Sequence, residues 1–318
     1  MKFWGILLVV LGHVCNMYLP NGLIHPAVSS DLIGYISLYI YSFHMPLFVF
    51  VSGSVYAFQS EVLGRRDGFQ VFIKKKAKRL LIPYVVFGLL LIFLMYGCGF
   101  RSNLCDYIFK GVLLSKDSRH LWFVLMLFEV FVLFYLMNRC LQLFHCPKWA
   151  LVVLSLVCYL SSNYFPYILQ INNAFRYVFW FTLGFVFILY KNEVQRVVVY
   201  SVCIVFLFAY LVIEHHVSFG IPFFSTITAL SGILIVYSLS CDFKPISRTP
   251  FFRLVSKNSF GIYLYHVFII YLMFFFLKEI LISAYLLSLT VLFVSIFLSA
   301  LLTELTRKLG LGIIIGEK

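Results

Sequence analysis

The sequence has few charged residues and no long polar stretch. Only 12% of its 318 residues are Asp, Glu, Lys or Arg, whereas 63% are hydrophobic, and the mean hydropathy is +0.99. This composition excludes an ordinary soluble protein and is typical of a polytopic membrane protein. Because no polar segment is long enough to fold by itself, we expect a single integral membrane domain over residues 1–318, with no separate soluble domain.

Acidic residues and metal-binding cysteine patterns are also scarce. There are 12 Asp and Glu against 25 Lys and Arg, which gives a net charge of +13. Such an excess can indicate nucleic-acid binding, but here the positions of the cations along the chain explain it better, so we expect no nucleic-acid partner. The eight cysteines include no Cys-x-x-Cys pair, and the sequence therefore predicts no metal site.

Long apolar segments predict an all-α fold, a bundle of about ten helices that cross the lipid bilayer. The predicted spans are 3–19, 32–58, 80–97, 120–137, 149–161, 174–190, 197–213, 223–240, 258–277 and 281–303. With the N-terminus inside, 19 of the 25 Lys and Arg fall in the inner segments and six in the outer ones. Because cytoplasmic loops are rich in Lys and Arg, we expect both termini in the cytoplasm.

His13 lies inside the first apolar segment, eleven positions after Lys2. Eleven residues are close to three helical turns, so the two side chains share a helix face and lie about 16 Å apart along the axis. An ionisable group at mid-membrane depth is costly and is usually functional. His44 lies in the second span, where an antiparallel arrangement would bring it to a similar depth. The two histidines predict either a catalytic site or an interhelical hydrogen bond that stabilises the bundle.

Other polar residues near the spans allow two interpretations each. Glu129 is the only carboxylate near the middle of a predicted span, and it is either catalytic or a structural partner of a cation. His266, in the ninth span, either contacts substrate or packs with its ring hydrogen-bonded. Lys76 and Arg79 belong to a basic cluster before the third span and share a helix face. That cluster either interacts with anionic lipid headgroups or binds a polyanion such as a chain of phosphates.

Two motifs in the first two spans are specific when they occur together. One is Lys2 followed after ten residues by His13, and the other is Phe43-His-Met-Pro-Leu-Phe48 followed by Ser52-Gly53. Weaker elements are Lys76-x-x-Arg79 before Leu-Ile-Pro-Tyr, His120-Leu-Trp-Phe, and Asn258-Ser-Phe-Gly-Ile-Tyr-Leu-Tyr-His266. With these motifs the chain resembles, over nearly its whole length, the acyltransferase 3 family of integral membrane O-acyltransferases. It is most similar to the fucose 4-O-acetylase-like sugar O-acetyltransferases. One departure is Lys76, where the family has Arg.

The resemblance implies a multi-pass protein of the bacterial inner membrane that moves an acetyl group from cytoplasmic acetyl-CoA to a sugar hydroxyl, without a metal. His13 would act as a general base on the hydroxyl, or as a nucleophile that forms an acyl-imidazole. His44 or Glu129 would orient His13 or stabilise the tetrahedral intermediate.

The resemblance also suggests where the substrates bind. We expect Lys2, Lys76 and Arg79 to bind the phosphates of CoA at the inner face. The acceptor, a glycan or a lipid-linked sugar, would approach from the outer side. The residues expected to contact the acceptor are His120, Trp122, Arg176 and His266, with Asn172 nearby.

Two other classes of function are consistent with a ten-span bundle. An exporter of polysaccharide or of a small molecule would use buried His and Glu for transport without acyl transfer, but no pair of pseudo-symmetric half-transporter repeats is visible. A purely structural or lipid-anchoring membrane protein would leave His13 and His44 at similar depth without an explanation.

Overall fold

A computed structural model of the chain describes residues 1–100, 103–190, 222–243 and 249–317. The regular structure in these ranges is helical, which confirms the predicted all-α class. The α-helices are α1 (Lys2–Cys15), α2 (Asp31–Ala57), α3 (Phe69–Gly97), α4 (Leu104–Ile108), α5 (Trp122–Leu143), α6 (Trp149–Ser161), α7 (Ile171–Tyr190), α8 (Pro222–Asp242), α9 (Pro250–Lys257), α10 (Ser259–Leu277) and α11 (Ala284–Lys308).

Within the described ranges, seven helices are long and apolar enough to cross a membrane, and two shorter apolar helices, Lys2–Tyr18 and Trp149–Tyr164, accompany them. The predicted segment 197–213 lies outside the described residues. The count of ten spans and the cytoplasmic location of both termini therefore stay predictions.

The chain is organised as two compact units. The first unit comprises the described residues within Met1–Phe48 and Asn192–Leu305, and the second unit those within Val49–Lys191 and Thr306–Lys318. The expectation of a single domain over residues 1–318 stays a prediction.

The basic cluster before the third span is helical, as a shared helix face of Lys76 and Arg79 requires, but the predicted span did not include it. Helix α3 begins at Phe69 and continues without a break to Gly97, whereas the predicted span begins at residue 80. Lys and Arg are good helix formers, and their long side chains can keep the charged groups in water while the backbone is helical. The cations therefore extend the membrane helix by more than two turns.

The predicted outer loop 98–119 contains structure that packs on α3. Helix α4 and the π-helical turn Phe109–Leu113 that follows it lie against the middle of α3. The Tyr84 hydroxyl donates to the Val112 carbonyl at 2.7 Å, and Gly88 leaves room for the Val112 side chain. A tyrosine inside an apolar helix thus satisfies a backbone carbonyl that the loop would otherwise bury without a partner.

In the first unit, glycines bring α1 close to the first half of α2. A Cβ atom added to Gly12 would lie 3.0 Å from both Ile40 Cγ2 and Tyr41 Cε1. On its other side α1 packs along α10. Helix α10 is joined to α11 through Glu304, whose Oε1 accepts from Lys257 Nζ at 2.8 Å and from Asn258 Nδ2 at 2.9 Å.

In the second unit, α2 and α7 approach each other through a reciprocal pair of glycines. A Cβ atom on Gly53 would collide with the carbonyl oxygen of Phe181, and one on Gly184 would collide with the carbonyl oxygen of Phe50. The Ser54 hydroxyl donates to the Gly184 carbonyl at 3.0 Å across the same contact. Small residues let helix backbones touch in this way, which membrane helices use for association. The Ser-Gly motif of the second span is therefore a packing motif.

We expect Gly53→Ala and Gly184→Ala each to destabilise the protein by about 1–3 kcal/mol, because the added methyl group meets backbone that cannot move aside. Unfolding of the purified protein in mixed micelles measures the change. Gly97→Ala is the matched control, since Gly97 is helical, lies in the same unit and has open space around its Cβ position. Equal effects of all three substitutions would contradict the close helix contact.

Candidate active site

His13 lies on α1 in the first unit and is half-buried. Its Nδ1 atom is 3.1 Å from the hydroxyl oxygen of Tyr41 on α2. The close approach at Gly12 allows this contact, because a side chain there would push against the Tyr41 ring. The spacing of His13 after a small residue thus has a structural reason.

The contact with Tyr41 bears on which nitrogen of His13 carries the proton. A neutral ring that donates Nδ1–H to the Tyr41 hydroxyl has its lone pair at Nε2, the form that a general base or a nucleophile requires. On the same face of α2, the Ser37 hydroxyl donates to the Gly12 carbonyl at 3.1 Å and so ties α2 to α1 one residue before His13.

His266 of α10 lies directly beside His13, with 5.1 Å between the two ring centroids and 55° between the ring planes. Its Nδ1–H donates within its own helix, to the carbonyl of Tyr263 at 2.7 Å and to that of Ile262 at 3.0 Å. The side chain is fully buried. The sequence analysis expected His266 to bind substrate, and the structure brings it into the cluster around His13.

His44 belongs to the same cluster through Tyr41. The Tyr41 and His44 rings pack with centroids 4.8 Å apart, and His44 Nδ1–H donates to the Ile40 carbonyl at 3.0 Å. The two histidines of the first two spans are thus both in contact with one tyrosine. The sequence predicted that His13 and His44 either form a catalytic site or share an interhelical hydrogen bond, and both alternatives stay predictions.

Tyr41 and Ser37 are the residues that sequence reasoning missed. Both lie in α2 with His44, and their spacing of four and then three residues puts all three on one helix face. This spacing is the feature of the sequence that could have associated Ser37 and Tyr41 with His44. An aromatic and a hydroxyl residue are ordinary in a membrane helix, so only the contacts reveal the role.

The other predicted cofactor and catalytic residues are in or near helices α1, α3 and α5. Lys2 is exposed at the start of α1 in the first unit. In the second unit, Lys76 Nζ lies 3.5 Å from the ring centroid of Phe131, so a cation–π contact holds this amine. Arg79 is exposed and forms no ion pair with a described residue. Glu129 is half-buried on α5, and no described residue hydrogen-bonds its Oε2 atom.

The predicted acceptor-binding residues of the second unit are separated from one another. Trp122 lines an open cleft of about 670 Å³ together with Asn172. His120 is buried, and Arg176 donates to Asn163 Oδ1 at 2.8 Å on the surface; neither is among the residues that line the cleft.

The family model for the acyltransferase 3 domain matches residues 1–305, almost the entire chain. The chain belongs to the acyltransferase 3 family. Comparison with curated proteins and with solved structures gave no match. The narrower resemblance to the fucose 4-O-acetylase-like group stays a prediction.

Membership of the acyltransferase 3 family makes this protein a multi-pass membrane acyltransferase and gives the His13 cluster a chemical context. Acyl transfer to a hydroxyl needs a group that removes the hydroxyl proton, and neutral imidazole is the common choice. In this acyltransferase the Tyr41 hydroxyl lies beside Nδ1 of His13, the position that a carboxylate occupies beside the histidine of a hydrolase triad.

We expect Tyr41→Phe to lower kcat for acyl transfer by about 10-fold or more, because His13 loses the hydrogen bond that orients its ring. KM for donor and acceptor should stay unchanged, since Tyr41 acts on the catalytic ring and not on the substrates. Steady-state kinetics of the purified protein measures both constants. Tyr35→Phe, an exposed tyrosine of the same helix, is the control. A rise in KM with unchanged kcat would contradict this role.

Proposed function

We propose that this protein is an O-acetyltransferase of the inner membrane that moves an acetyl group from cytoplasmic acetyl-CoA to a hydroxyl of a cell-envelope sugar or polysaccharide. The observation that carries the proposal is the cluster around His13, whose Nδ1 lies 3.1 Å from the Tyr41 hydroxyl and whose ring lies 5.1 Å from that of His266. Membership of an acyltransferase family supports acyl transfer as the reaction, and the asymmetry of Lys and Arg supports a donor on the cytoplasmic side.

In the proposed mechanism His13 Nε2 accepts the proton of the acceptor hydroxyl as the oxygen attacks the thioester carbonyl. The tetrahedral intermediate collapses, the carbon–sulfur bond breaks, and the thiolate of CoA takes the proton back from His13. The products are the O-acetyl ester and free CoA, and the imidazole returns to its starting form. While His13 is protonated, Tyr41 accepts from Nδ1–H and stabilises the cation.

His13 can also act as the nucleophile. In that route Nε2 attacks the thioester, CoA leaves as the thiolate, and the acetyl-imidazole transfers its acetyl group to the sugar hydroxyl in a second step. The same lone pair serves both routes. Labelled acetyl-CoA in the absence of acceptor distinguishes them, because only the second route leaves a label on His13.

We propose that cations bind the phosphates of acetyl-CoA. Arg79 is exposed and its fork can hold a phosphate through two hydrogen bonds, whereas Lys76 offers a single ammonium already held on Phe131. Lys2, exposed at the start of α1, is a third candidate. Glu129 and His44 are candidates for orienting groups in the reaction.

We expect His13→Ala to abolish O-acetylation of envelope glycans, because the mutant has no imidazole to accept the proton. Mass spectrometry of glycans from cells with matched amounts of wild-type or mutant protein in the membrane measures the acetyl increment. His25→Ala, an exposed histidine of the same unit, is the control. Glycans that carry the same acetyl groups in the mutant would refute the assignment, and glycans retained unmodified inside the cell would indicate an exporter.

We expect Arg79→Ala to raise KM for acetyl-CoA by about 10- to 100-fold, since a hydrogen bond to a charged group contributes about 1.5–3 kcal/mol. KM for the acceptor should stay the same. Lys78→Ala is the control, because Lys78 is an equally exposed cation one position away. Equal effects of the two substitutions would mean that the cluster attracts anions only through its overall charge. That behaviour is expected of a cluster that interacts with anionic lipid headgroups.

A further inference from the structure

The second unit contains an open cleft that the proposed chemistry of His13 does not explain. It has a volume of about 670 Å³, and its walls come from two segments, 115–122 and 167–173. This volume is within the range of about 300–1,000 Å³ typical of ligand sites.

The two walls are fixed to each other by hydrogen bonds. The side-chain amide of Gln170 donates to the Ser115 carbonyl at 2.5 Å, and the Leu169 N–H donates to the Leu114 carbonyl at 2.9 Å. The hydroxyls of Ser115 and Ser118 are 2.9 Å apart. Gln170 and Ser115 are both buried. The cleft is therefore preformed by its own polar contacts.

The backbone of both walls is strained. Of the five non-glycine residues with positive φ in the described ranges, four lie here: Ser115, Arg119, Leu169 and Gln170, with φ between 50° and 68°. Such conformations cost free energy and are concentrated at ligand-binding sites, where they fix the direction of a side chain.

Asn172 is the observation that indicates a ligand. Its residue is only 3% exposed, it lines the cleft, and no described residue hydrogen-bonds its side-chain amide. By contrast, the neighbouring Asn173 donates to Gln170 Oε1 at 2.6 Å. An amide that reaches the cleft can both donate and accept hydrogen bonds. A ligand that offers both an acceptor and a donor would therefore replace water at this side chain.

The lining of the cleft identifies the chemical class of that ligand. It combines two aromatic rings, Trp122 and Tyr167, with amides and hydroxyls, and no aliphatic side chain is among the described lining residues. An acyl chain would find little apolar surface there. The guanidinium of Arg119 lies 3.6 Å from Asp117, so the charges are of both signs. A sugar ring fits this set, because its hydroxyls both donate and accept while its C–H face packs on an aromatic ring.

We propose that this cleft binds carbohydrate and is the site at which the acceptor glycan is held. The second part of this proposal rests on the proposed O-acetyltransferase function, whereas carbohydrate binding itself does not.

Saturation-transfer difference NMR on the whole protein in nanodiscs, without acyl donor, tests the binding. The probes are methyl α-D-glucopyranoside, methyl α-L-fucopyranoside and methyl N-acetyl-β-D-glucosaminide, together with glucose 1-phosphate and inorganic phosphate. We expect saturable transfer to the ring protons of at least one sugar. Because no acetyl group is present, loss of transferase activity has no effect on this result, so failure of the two proposals can be distinguished.

Two variants locate the binding in the cleft. Asn172→Leu keeps the side-chain size but removes the amide, and we expect at least about 10-fold weaker sugar binding. Tyr167→Ala replaces an exposed residue and should not affect folding. We expect weaker sugar binding in this variant as well. Tyr164→Ala is the matched control. Tyr164 is a tyrosine of the same segment that does not line the cleft, and it is 91% exposed, whereas Tyr167 is 64% exposed.

Sugar binding that becomes weaker in both cleft variants and stays unchanged in Tyr164→Ala supports the proposal. Within that result, tighter binding of glucose 1-phosphate than of the methyl glucoside would indicate a sugar linked to a lipid through phosphate, and equal binding a neutral glycan. Absence of saturable transfer from every sugar, equal binding in all variants, or binding of inorganic phosphate alone would overturn it.

Discussion

The cost of a polar group without a partner in an apolar environment governs this fold. Several polar side chains inside the described helices are engaged by a nearby backbone carbonyl: His44 and His266 bond carbonyls of their own helices, and Tyr84 bonds the carbonyl of Val112. At His13 the same requirement has a chemical consequence. The Tyr41 hydroxyl lies 3.1 Å from Nδ1, and a neutral ring that donates there has its lone pair at Nε2.

The helices were predictable because long, mainly apolar segments leave little alternative to a membrane helix, and the bounds of α6 and α7 differ little from the predicted ones. Two features were not predictable from hydropathy. The lysines before Leu80 continue α3, because their long side chains tolerate a helical position at the membrane boundary. The segment Leu104–Leu113 packs on α3, because Tyr84 and Gly88 form a specific site for it that composition does not reveal.

For the candidate site, the sequence showed which residue types stand out, but it did not show which side chains contact one another. His13 and His44 stood out because ionisable groups are rare in apolar helices. Tyr41 and Ser37 did not, because both types are common there, although Tyr41 contacts His13 Nδ1 and Ser37 bonds the Gly12 carbonyl next to it. The role of His266 depended on which helix packs beside α1, and a single sequence contains no direct record of that neighbour.

The position of Tyr41 also decides which atom of His13 is used for chemistry. The Tyr41 hydroxyl already engages Nδ1 at 3.1 Å, so a substrate would meet the ring at Nε2. A proton taken up at Nε2 can return from that same atom to the leaving thiolate. The imidazole then finishes the cycle in the form in which it began, without a second proton acceptor.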